Sequence, residues 1–349
     1  MSTFFEDPLP QSSIAVADPE LPAETGTPEN DRNVKKAALI ILGAIALILL
    51  LVFLWYLFFR KPLQLPGMGD NRIPSFSANF YGPNTPMGVA ADPSADRVYV
   101  TSSAGTADTG VYDRAGQQIG ALTPPDTNTA HVPVYVAVNP TNGDVYVTDR
   151  ITRQIYIYDN TGTYQRTYEP AGDLKKTWEP LAVAFDKDGN LYISDVSGEQ
   201  QKILEFGSDG NVIREIGTPG MTTFANAIAI DDAKNVIVSD SNNGRILFFA
   251  PDNTLITQIN RGSGASELSM PRGLVVSGNR LFVADTVNQQ VQNYDLKDLG
   301  SSGPRYIGAF GTEGVTDGAF SYPNGIAADD QGRVYVTDRV NNRVTVWSW

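Results

Sequence analysis

The sequence predicts an all-β protein, a six-bladed β-propeller, preceded by a single transmembrane helix. A stretch of 23 residues without a charge, residues 37–59, precedes a unit that recurs six times. The residue that closes the second strand of each copy returns after 45 to 53 residues. Each copy alternates short apolar strands with turns rich in Asp, Asn and Gly. A period in the forties with several short strands per copy is typical of propeller blades.

The uncharged stretch has the length and flanks of a membrane anchor. As a helix, residues 37–59 would span roughly 34 Å, and a bilayer core is about 30 Å thick. Two lysines precede the stretch, an Arg-Lys pair follows it, and aromatic residues crowd its C-terminal end. A cleaved signal peptide would have a shorter apolar run and a small-residue cleavage site after it. We therefore predict a transmembrane helix that occupies, with its flanks, residues 35–61.

The segments around the helix lack hydrophobic periodicity. Residues 1–34 are rich in Pro, Ser, Thr and acidic side chains, which predicts a disordered tail, and residues 62–74 predict a short linker. Three basic residues lie on each side of the helix, so the positive-inside rule does not decide its orientation. The Cys-free, Asn- and Thr-rich C-terminal region favours an extracytoplasmic propeller in the cell membrane, and the inverted topology stays open.

The repeats occupy residues 75–349. The clearest copy, residues 323–347, reads PNGIAADDQGRVYVTDRVNNRVTVW. Each copy predicts a strand, a tight turn, a strand, an Asn-rich turn, a third strand and a looser fourth strand. The last copy ends after its third strand, so we expect residues 75–81 (SFSANFY) to supply the fourth. Such a closure leaves no open sheet edge between the first and last blades.

These residues resemble the NHL repeat family. The family core P-x-G-I-A-x-D-x-x-G-x-V-Y-V-T-D-x-x-N-N-R-V is met almost letter for letter by residues 323–344. The resemblance covers about residues 75–349, and the first copy departs most, because Ser102 stands where the other copies have Asp. The resemblance implies a six-bladed propeller that binds proteins, ligands or RNA. Some members form extracytoplasmic sensor domains.

An aspartate closes the second strand in five of the six copies: Asp149, Asp195, Asp240, Asp285 and Asp338. These carboxylates could form a functional ring. A short acceptor just before a tight turn, however, satisfies free backbone N–H groups of that turn. Because one residue type recurs in every such copy, we interpret the five as structural turn acceptors.

The loops that enter each blade and the turns after each second strand emerge on one face of a propeller, here termed the loop face. The candidate binding residues on it are Met87, His131, Tyr135, Arg150, Trp178, Asn226, Arg272, Asn324 and Arg339. Arg and aromatic side chains supply anchors in protein interfaces. We therefore expect a protein partner or a small ligand on this face.

Few residues of the sequence indicate catalysis. His131 is the only histidine, cysteine is absent, and no G-x-S-x-G motif occurs. The inner strands carry Gly and Ala and almost no titratable groups. We predict no catalytic residue, no bound metal and no cofactor. The alternative is an extracytoplasmic lyase or hydrolase with Ca²⁺ or Mg²⁺ in the channel mouth, held by oxygen ligands. A structural subunit of a membrane complex is a third possibility.

The charge argues against nucleic acid as a partner. The net charge is −13, and residues 1–74 hold only six basic and eight acidic side chains, which leaves 20 basic and 31 acidic ones in the propeller. Such a domain repels a phosphate backbone unless one face concentrates its basic residues. The prediction is therefore a membrane-anchored, extracytoplasmic scaffold or sensor module that binds a protein or ligand.

Overall fold

The computed structural model describes residues 28–59, 71–92, 96–260 and 266–349. The chain divides into one unit that ends at Arg60 and a second that begins at Lys61, and each is described by itself. Residues 1–27 of the predicted tail and residues 62–70 of the predicted linker lie outside the described residues.

The first unit contains helix α1 (Pro28–Phe59), which has 32 residues. At about 1.5 Å per residue it is roughly 48 Å long. It begins at Pro28, within the residues that the sequence assigns to the tail, and proline suits the first turn of a helix. Residues 32–54 are exposed and have a mean hydropathy of 3.2. By length and composition α1 could cross a membrane, and a signal sequence near an N-terminus would meet the same criterion.

The second unit is the predicted six-bladed β-propeller. Blades 1 and 2 are β2 (Pro86–Asp92), β3 (Arg97–Ser102), β4 (Thr109–Asp113), β5 (Gln118–Leu122) and β6 (Pro133–Val138), β7 (Val145–Asp149), β8 (Gln154–Tyr158), β9 (Tyr164–Tyr168). Blades 3 and 4 are β10 (Pro180–Phe185), β11 (Leu191–Asp195), β12 (Lys202–Phe206), β13 (Val212–Ile216) and β14 (Ala225–Ile230), β15 (Val236–Asp240), β16 (Arg245–Phe249), β17 (Leu255–Ile259). Blade 5 is β18 (Pro271–Ser277), β19 (Arg280–Asp285), β20 (Gln290–Asp295), β21 (Arg305–Phe310).

Blade 6 combines both ends of the propeller. Its strands are β24 (Pro323–Ala328), β25 (Arg333–Asp338), β26 (Arg343–Ser348) and, outermost, β1 (Ser75–Tyr81). Strand β1 runs antiparallel to β26, from the pair Ser75–Ser348 to the pair Tyr81–Arg343. A strand from the N-terminal side therefore supplies the fourth strand of the last blade.

The remaining elements are short. They are a parallel pair, β22 (Thr312–Glu313) and β23 (Ala319–Phe320), helix α2 (Leu299–Ser302) and 3₁₀ turns at Gly172–Lys176 and Ser241–Asn243. Residues just before β1 lie on blade 5. Arg280 donates a hydrogen bond to the carbonyl oxygen of Arg72 (3.2 Å), and Arg305 donates to Asn71 Oδ1 (2.9 Å).

The first strands of the six blades form the inner ring, each against the first strand of the next blade. Glycine is required where these strands approach one another. A Cβ on Gly88 would lie 2.6 Å from the carbonyl oxygen of Val134, and one on Gly325 would lie 2.4 Å from that of Met87. Because the nearest atoms belong to the backbone of the neighbouring strand, the inner strands cannot move apart to accommodate a side chain there.

Among the described residues, hydroxyl groups join the inner strands at five of the six junctions between blades. Thr101 accepts the N–H of Gly88 (2.7 Å) and donates to the carbonyl oxygen of Val134 in blade 2 (3.0 Å). Thr337 accepts the N–H of Gly325 (2.7 Å) and donates to the carbonyl oxygen of Met87 (2.9 Å), which joins blade 6 to blade 1. Each first strand has a register shift near this contact, and the hydroxyl satisfies backbone groups that the shift leaves out of the ladder.

We expect the buried tyrosines to make the propeller less stable at alkaline pH. Burial raises the pKa of Tyr112 and of Tyr192 to about 12. The unfolded chain releases these protons near pH 10, so the folded chain holds them more tightly. This contribution to stability is complete below about pH 10 and is lost as the pH rises towards 12. We expect the free energy of unfolding in denaturant to fall above about pH 10. Ionisation of all tyrosines near that pH in a chain with native circular dichroism would contradict this expectation.

Candidate ligand-binding site

The five recurrent aspartates are almost fully buried, with at most 2% of their surface exposed. Each carboxylate accepts a main-chain N–H from the loop that enters its own blade; the donors are Val132, Glu179, Thr223, Met270 and Ser321. Each also accepts a bond from the turn that follows; the donors are Ile151, Ser197, Asn243, Asn288 and Asn341. The side chains of Asp149, Asp195, Asp240, Asp285 and Asp338 therefore hold two loops of one blade together.

Two of these aspartates also hold an arginine from the third strand. Arg245 Nε donates to Asp240 Oδ2 (2.7 Å), and Arg343 Nε donates to Asp338 Oδ2 (2.8 Å). Burial raises the pKa of Asp338, and hydrogen bonds from Asn341, the Ser321 N–H and Arg343 oppose this rise. These ion pairs lie inside the blades.

His131 is anchored by both ring nitrogens. Nδ1 lies 3.0 Å from Asp149 Oδ2, and Nε2 lies 2.6 Å from the carbonyl oxygen of Asp126. The ring also packs edge-on against Tyr156. Since both nitrogens are engaged, this side chain stabilises the loop that enters blade 2 and presents no free nitrogen to a ligand.

Several predicted residues meet at one end of the central channel. Tyr135 of blade 2 donates its hydroxyl to Asn226 Oδ1 (2.8 Å) of blade 4, so this bond passes blade 3 and crosses the end of the channel. Arg272 of blade 5 donates to Asn324 Oδ1 (3.2 Å) of blade 6, and Asn324 Nδ2 donates to the carbonyl oxygen of Met87 (3.0 Å) in blade 1. Five of the six blades thus contribute to one polar cluster.

Tyr322 extends this cluster and was not foreseen from the sequence. Its ring lies under two guanidinium groups, with Arg272 Cζ at 5.3 Å and Arg339 Cζ at 5.5 Å from the ring centroid. Tyr322 has a φ of 67°, and the residues at the same place of blades 1 and 4, Thr85 and Phe224, have a φ of 52° and 74°, so this left-handed conformation belongs to the repeat. The only hint in the sequence was an aromatic residue directly before the proline of the best-matching repeat.

We call the following set the channel mouth: Tyr135, Asn226, Arg272, Tyr322, Asn324 and Arg339. Burial raises the pKa of Tyr135, and the nearby positive charge of Arg272 opposes this rise. Asn226 and Asn324 are 3% and 1% exposed. Within the described residues, Arg272 Nε and Asn226 Nδ2 are buried and have no hydrogen-bond partner. Both atoms are donors, so the channel mouth offers unused donors beside positive charge.

Besides Met87 and His131, two other predicted loop-face residues are not members of the channel mouth. Arg150 is exposed on the turn after Asp149. Trp178 is 6% exposed and packs against Tyr168 at 6.0 Å between ring centroids, so it is a core residue of blades 2 and 3. It lines a groove of about 480 Å³ with Arg153 and Lys175. The sequence placed Trp178 on the surface because its loop position does not reveal burial.

The alternative with a channel metal needs convergent oxygen ligands. Among the described residues, no group of three or more His, Cys, Asp or Glu side chains is arranged to hold a metal ion.

The comparisons with known proteins agree with the repeats. The family described as NHL repeat matches residues 268–294 and 320–347, in blades 5 and 6. The E3 ubiquitin-protein ligase TRIM71 of Bos taurus is 35% identical over 78 residues, which are 21% of this chain and 9% of that protein. NHL repeat-containing protein 3 of Homo sapiens is 24% identical over 208 residues, 54% of this chain and 59% of that protein. The matched segments span less than two thirds of these relatives.

Solved structures share the fold. The crystal structure of a nidogen/laminin complex contains a chain with a TM-score of 0.56 and 18% identity, over 69% of this chain and 84% of that one. A streptogramin B lyase structure matches with a TM-score of 0.53 and 13% identity, over 78% of this chain and 96% of that one. At such identities the likeness shows the fold alone. This chain contains NHL repeats in blades 5 and 6, and its C-terminal region is a six-bladed β-propeller.

Proposed function

We propose that this chain is a single-pass membrane protein whose propeller binds a protein or ligand outside the cytoplasm, as a scaffold or sensor module. An NHL propeller is a fold suited to protein binding. The observation that carries the proposal is the channel mouth, where Arg, Tyr and Asn side chains from four blades converge on the inner ring. Arg and Tyr are the residue types that anchor protein interfaces.

Helix α1 supports the membrane anchor, and His131 supports binding over catalysis. Helix α1 is long and apolar enough to cross a bilayer. Two structural neighbours bear on the choice of function: a nidogen/laminin complex, which is an assembly of proteins, and a streptogramin B lyase. A histidine is the side chain that most often acts as general acid or base in catalysis. His131, the only histidine of the chain, is engaged at both ring nitrogens, which favours protein binding over catalysis.

A topology experiment tests the location of the propeller. The chain has no cysteine, so Ser301→Cys introduces a single thiol at an exposed position of helix α2. We expect a membrane-impermeant maleimide to label this variant in intact cells as completely as in lysed cells. Labelling only after lysis would place the propeller in the cytoplasm and contradict the proposal.

A crosslinking experiment tests the binding function. The full chain and a chain truncated after residue 74 are crosslinked in intact cells, purified in mild detergent and compared by mass spectrometry. We expect a stoichiometric partner that only the full chain retains, because the truncated chain keeps α1 and lacks every blade. Identical sets of partners for the two chains would contradict a docking role of the propeller.

A further inference from the structure

The arginines of the propeller fall into distinct environments. Seven form ion pairs with carboxylates: Arg114, Arg153, Arg214, Arg245, Arg305, Arg333 and Arg343. Arg272 and Arg339 form no ion pair with any carboxylate of the described residues, and both lie over the ring of Tyr322. In a strongly acidic domain, two unpaired cations held on one aromatic ring indicate a local site for negative charge.

In the channel mouth the amide oxygens are already bonded, whereas two buried N–H donors have no partner among the described residues. Its amide acceptors are occupied, because Asn226 Oδ1 accepts from Tyr135 and Asn324 Oδ1 accepts from Arg272. Its buried side-chain atoms without a partner, within the described part of the chain, are donors, Arg272 Nε and Asn226 Nδ2. Asn226 is 97% buried, so its Nδ2 is fixed in position and has no solvent contact that would satisfy it. Buried donors call for an acceptor, and an oxyanion or a carbonyl group of a ligand supplies one.

We propose that the channel mouth binds a carboxylate of an acidic peptide. The inference rests on the proposed binding function and names the chemistry that the partner must carry. One carboxylate oxygen would accept from Arg272 Nε and the other from Asn226 Nδ2, with Arg339 supplying further positive charge. A planar carboxylate matches the planar guanidinium. A peptide chain also offers apolar groups that can pack on Tyr322.

The surroundings favour a carboxylate over a phosphate. Residues 75–349 carry 20 basic and 31 acidic side chains, so a doubly charged ligand meets more repulsion from the domain than a singly charged one. The positive charge at the channel mouth comes from Arg272 and Arg339 alone among its members. This small, directional site fits one carboxylate.

The test uses the full chain in detergent and a fluorescent, end-capped peptide of neutral residues with one glutamate, so that the probe carries a single carboxylate. The same peptide with glutamine at that position serves as the neutral probe, and inorganic phosphate and free glutamate serve as competitors. We expect binding of the glutamate peptide that weakens with salt, and at least about tenfold weaker binding of the glutamine peptide, because hydrogen bonds to charged groups are the stronger ones. Phosphate that displaces the peptide at lower concentration than glutamate does would overturn the assignment to carboxylates.

Three variants separate the site from the general charge of the domain. Asn226→Asp keeps an acceptor for the Tyr135 hydroxyl and replaces the free donor with a carboxylate oxygen, so we expect it to abolish binding. Arg272→Met keeps the length of the side chain and removes Nε, and we expect at least about tenfold weaker binding. Arg150→Met removes the same charge from the turn of blade 2 that corresponds to Arg339 in blade 6, and we expect it to bind like the unchanged chain. Equal affinities for Arg272→Met and Arg150→Met would overturn the proposal.

The proposal and the binding function can fail separately. If the full chain retains its partner in cells and Asn226→Asp retains it equally well, the carboxylate site is wrong and the docking role stands. If the full chain retains no partner, the docking role fails, and the peptide titration still decides the chemistry of the channel mouth. Melting temperatures of the three variants within a few degrees of the unchanged chain show that the comparison concerns binding and not folding.

Discussion

We expect Asp338→Ala to lower the free energy of unfolding by about 3–5 kcal/mol, because it leaves a buried arginine without its counter-charge. Arg343 is 2% exposed, and its Nε donates to Asp338. Its remaining nitrogens donate to the carbonyl oxygens of Val315, Thr316 and Ala319, which hold the loop before blade 6. These neutral acceptors cannot compensate a full charge. Denaturant unfolding followed by circular dichroism measures the loss.

Asp195→Ala is the matched control, since Asp195 occupies the same place in blade 3. Its Oδ1 accepts the N–H groups of Glu179 and Ser197, and the described residues show no arginine bonded to it. We expect a loss of about 1–3 kcal/mol, the cost of unsatisfied buried donors. Replacing both members of the pair by apolar residues, Asp338→Leu with Arg343→Met, should destabilise less than Asp338→Ala alone. Equal losses for Asp338→Ala and Asp195→Ala would refute a role for the buried charge.

The propeller could be predicted because the sequence pattern of one blade occurs six times along the chain. A blade is specified by alternating strands and a turn residue, and the sequence states this pattern six times. The strand bounds follow it closely: the second strands of blades 2 to 6 end at Asp149, Asp195, Asp240, Asp285 and Asp338. The fourth strand of blade 6 could also be predicted, because the last copy lacks one and residues 75–81 alternate in the required way.

The channel mouth could be predicted only in part. Asn226, Arg272 and Asn324 stand at the same place of successive repeats, so the register alone brings them to one end of the inner ring. The bond from Tyr135 to Asn226 joins residues 91 positions apart and depends on the width of the channel. The placement of Tyr322 depends on a left-handed backbone at an aromatic residue, which no propensity favours.

The hydroxyl contacts between blades were also missed, for a physical reason. The residue before the recurrent Asp is Thr148, Ser194, Ser239 or Thr337 in four blades, which in the sequence is a small strand residue of no evident role. In blade 5 it is Ala284, and Thr286 makes the contact with the next blade instead. The function of such a residue appears only when the next blade is in place, because the hydroxyl of Thr148 bonds to the carbonyl oxygen of Leu181 in that blade (2.9 Å). A repeat read one copy at a time does not contain the contacts between copies.

Phe80→Ala should be as costly as the loss of the buried aspartate, about 3–5 kcal/mol, because Phe80 packs the N-terminal strand against both ends of the ring. Phe80 is 2% exposed. Its ring stacks on Tyr112 of blade 1, at 6.1 Å between centroids, and packs at an interplanar angle of 59° against Tyr335 of blade 6, at 5.8 Å. Its removal leaves a cavity at the junction where the two blades meet. Denaturant unfolding measures the total loss, and hydrogen exchange locates it.

Tyr81→Ala is the control within the same strand. Tyr81 is 64% exposed, and we expect its replacement to change the free energy of unfolding by no more than about 0.5 kcal/mol. In Phe80→Ala, the amides of β1 and β26 should exchange faster than in the unchanged chain, while those of blade 3 keep their rates until the whole ring unfolds. If β1 were a dispensable edge strand, both replacements would cost the same and exchange would accelerate in β1 alone. A ring that depends on β1 for its closure must instead lose protection on both sides of the junction.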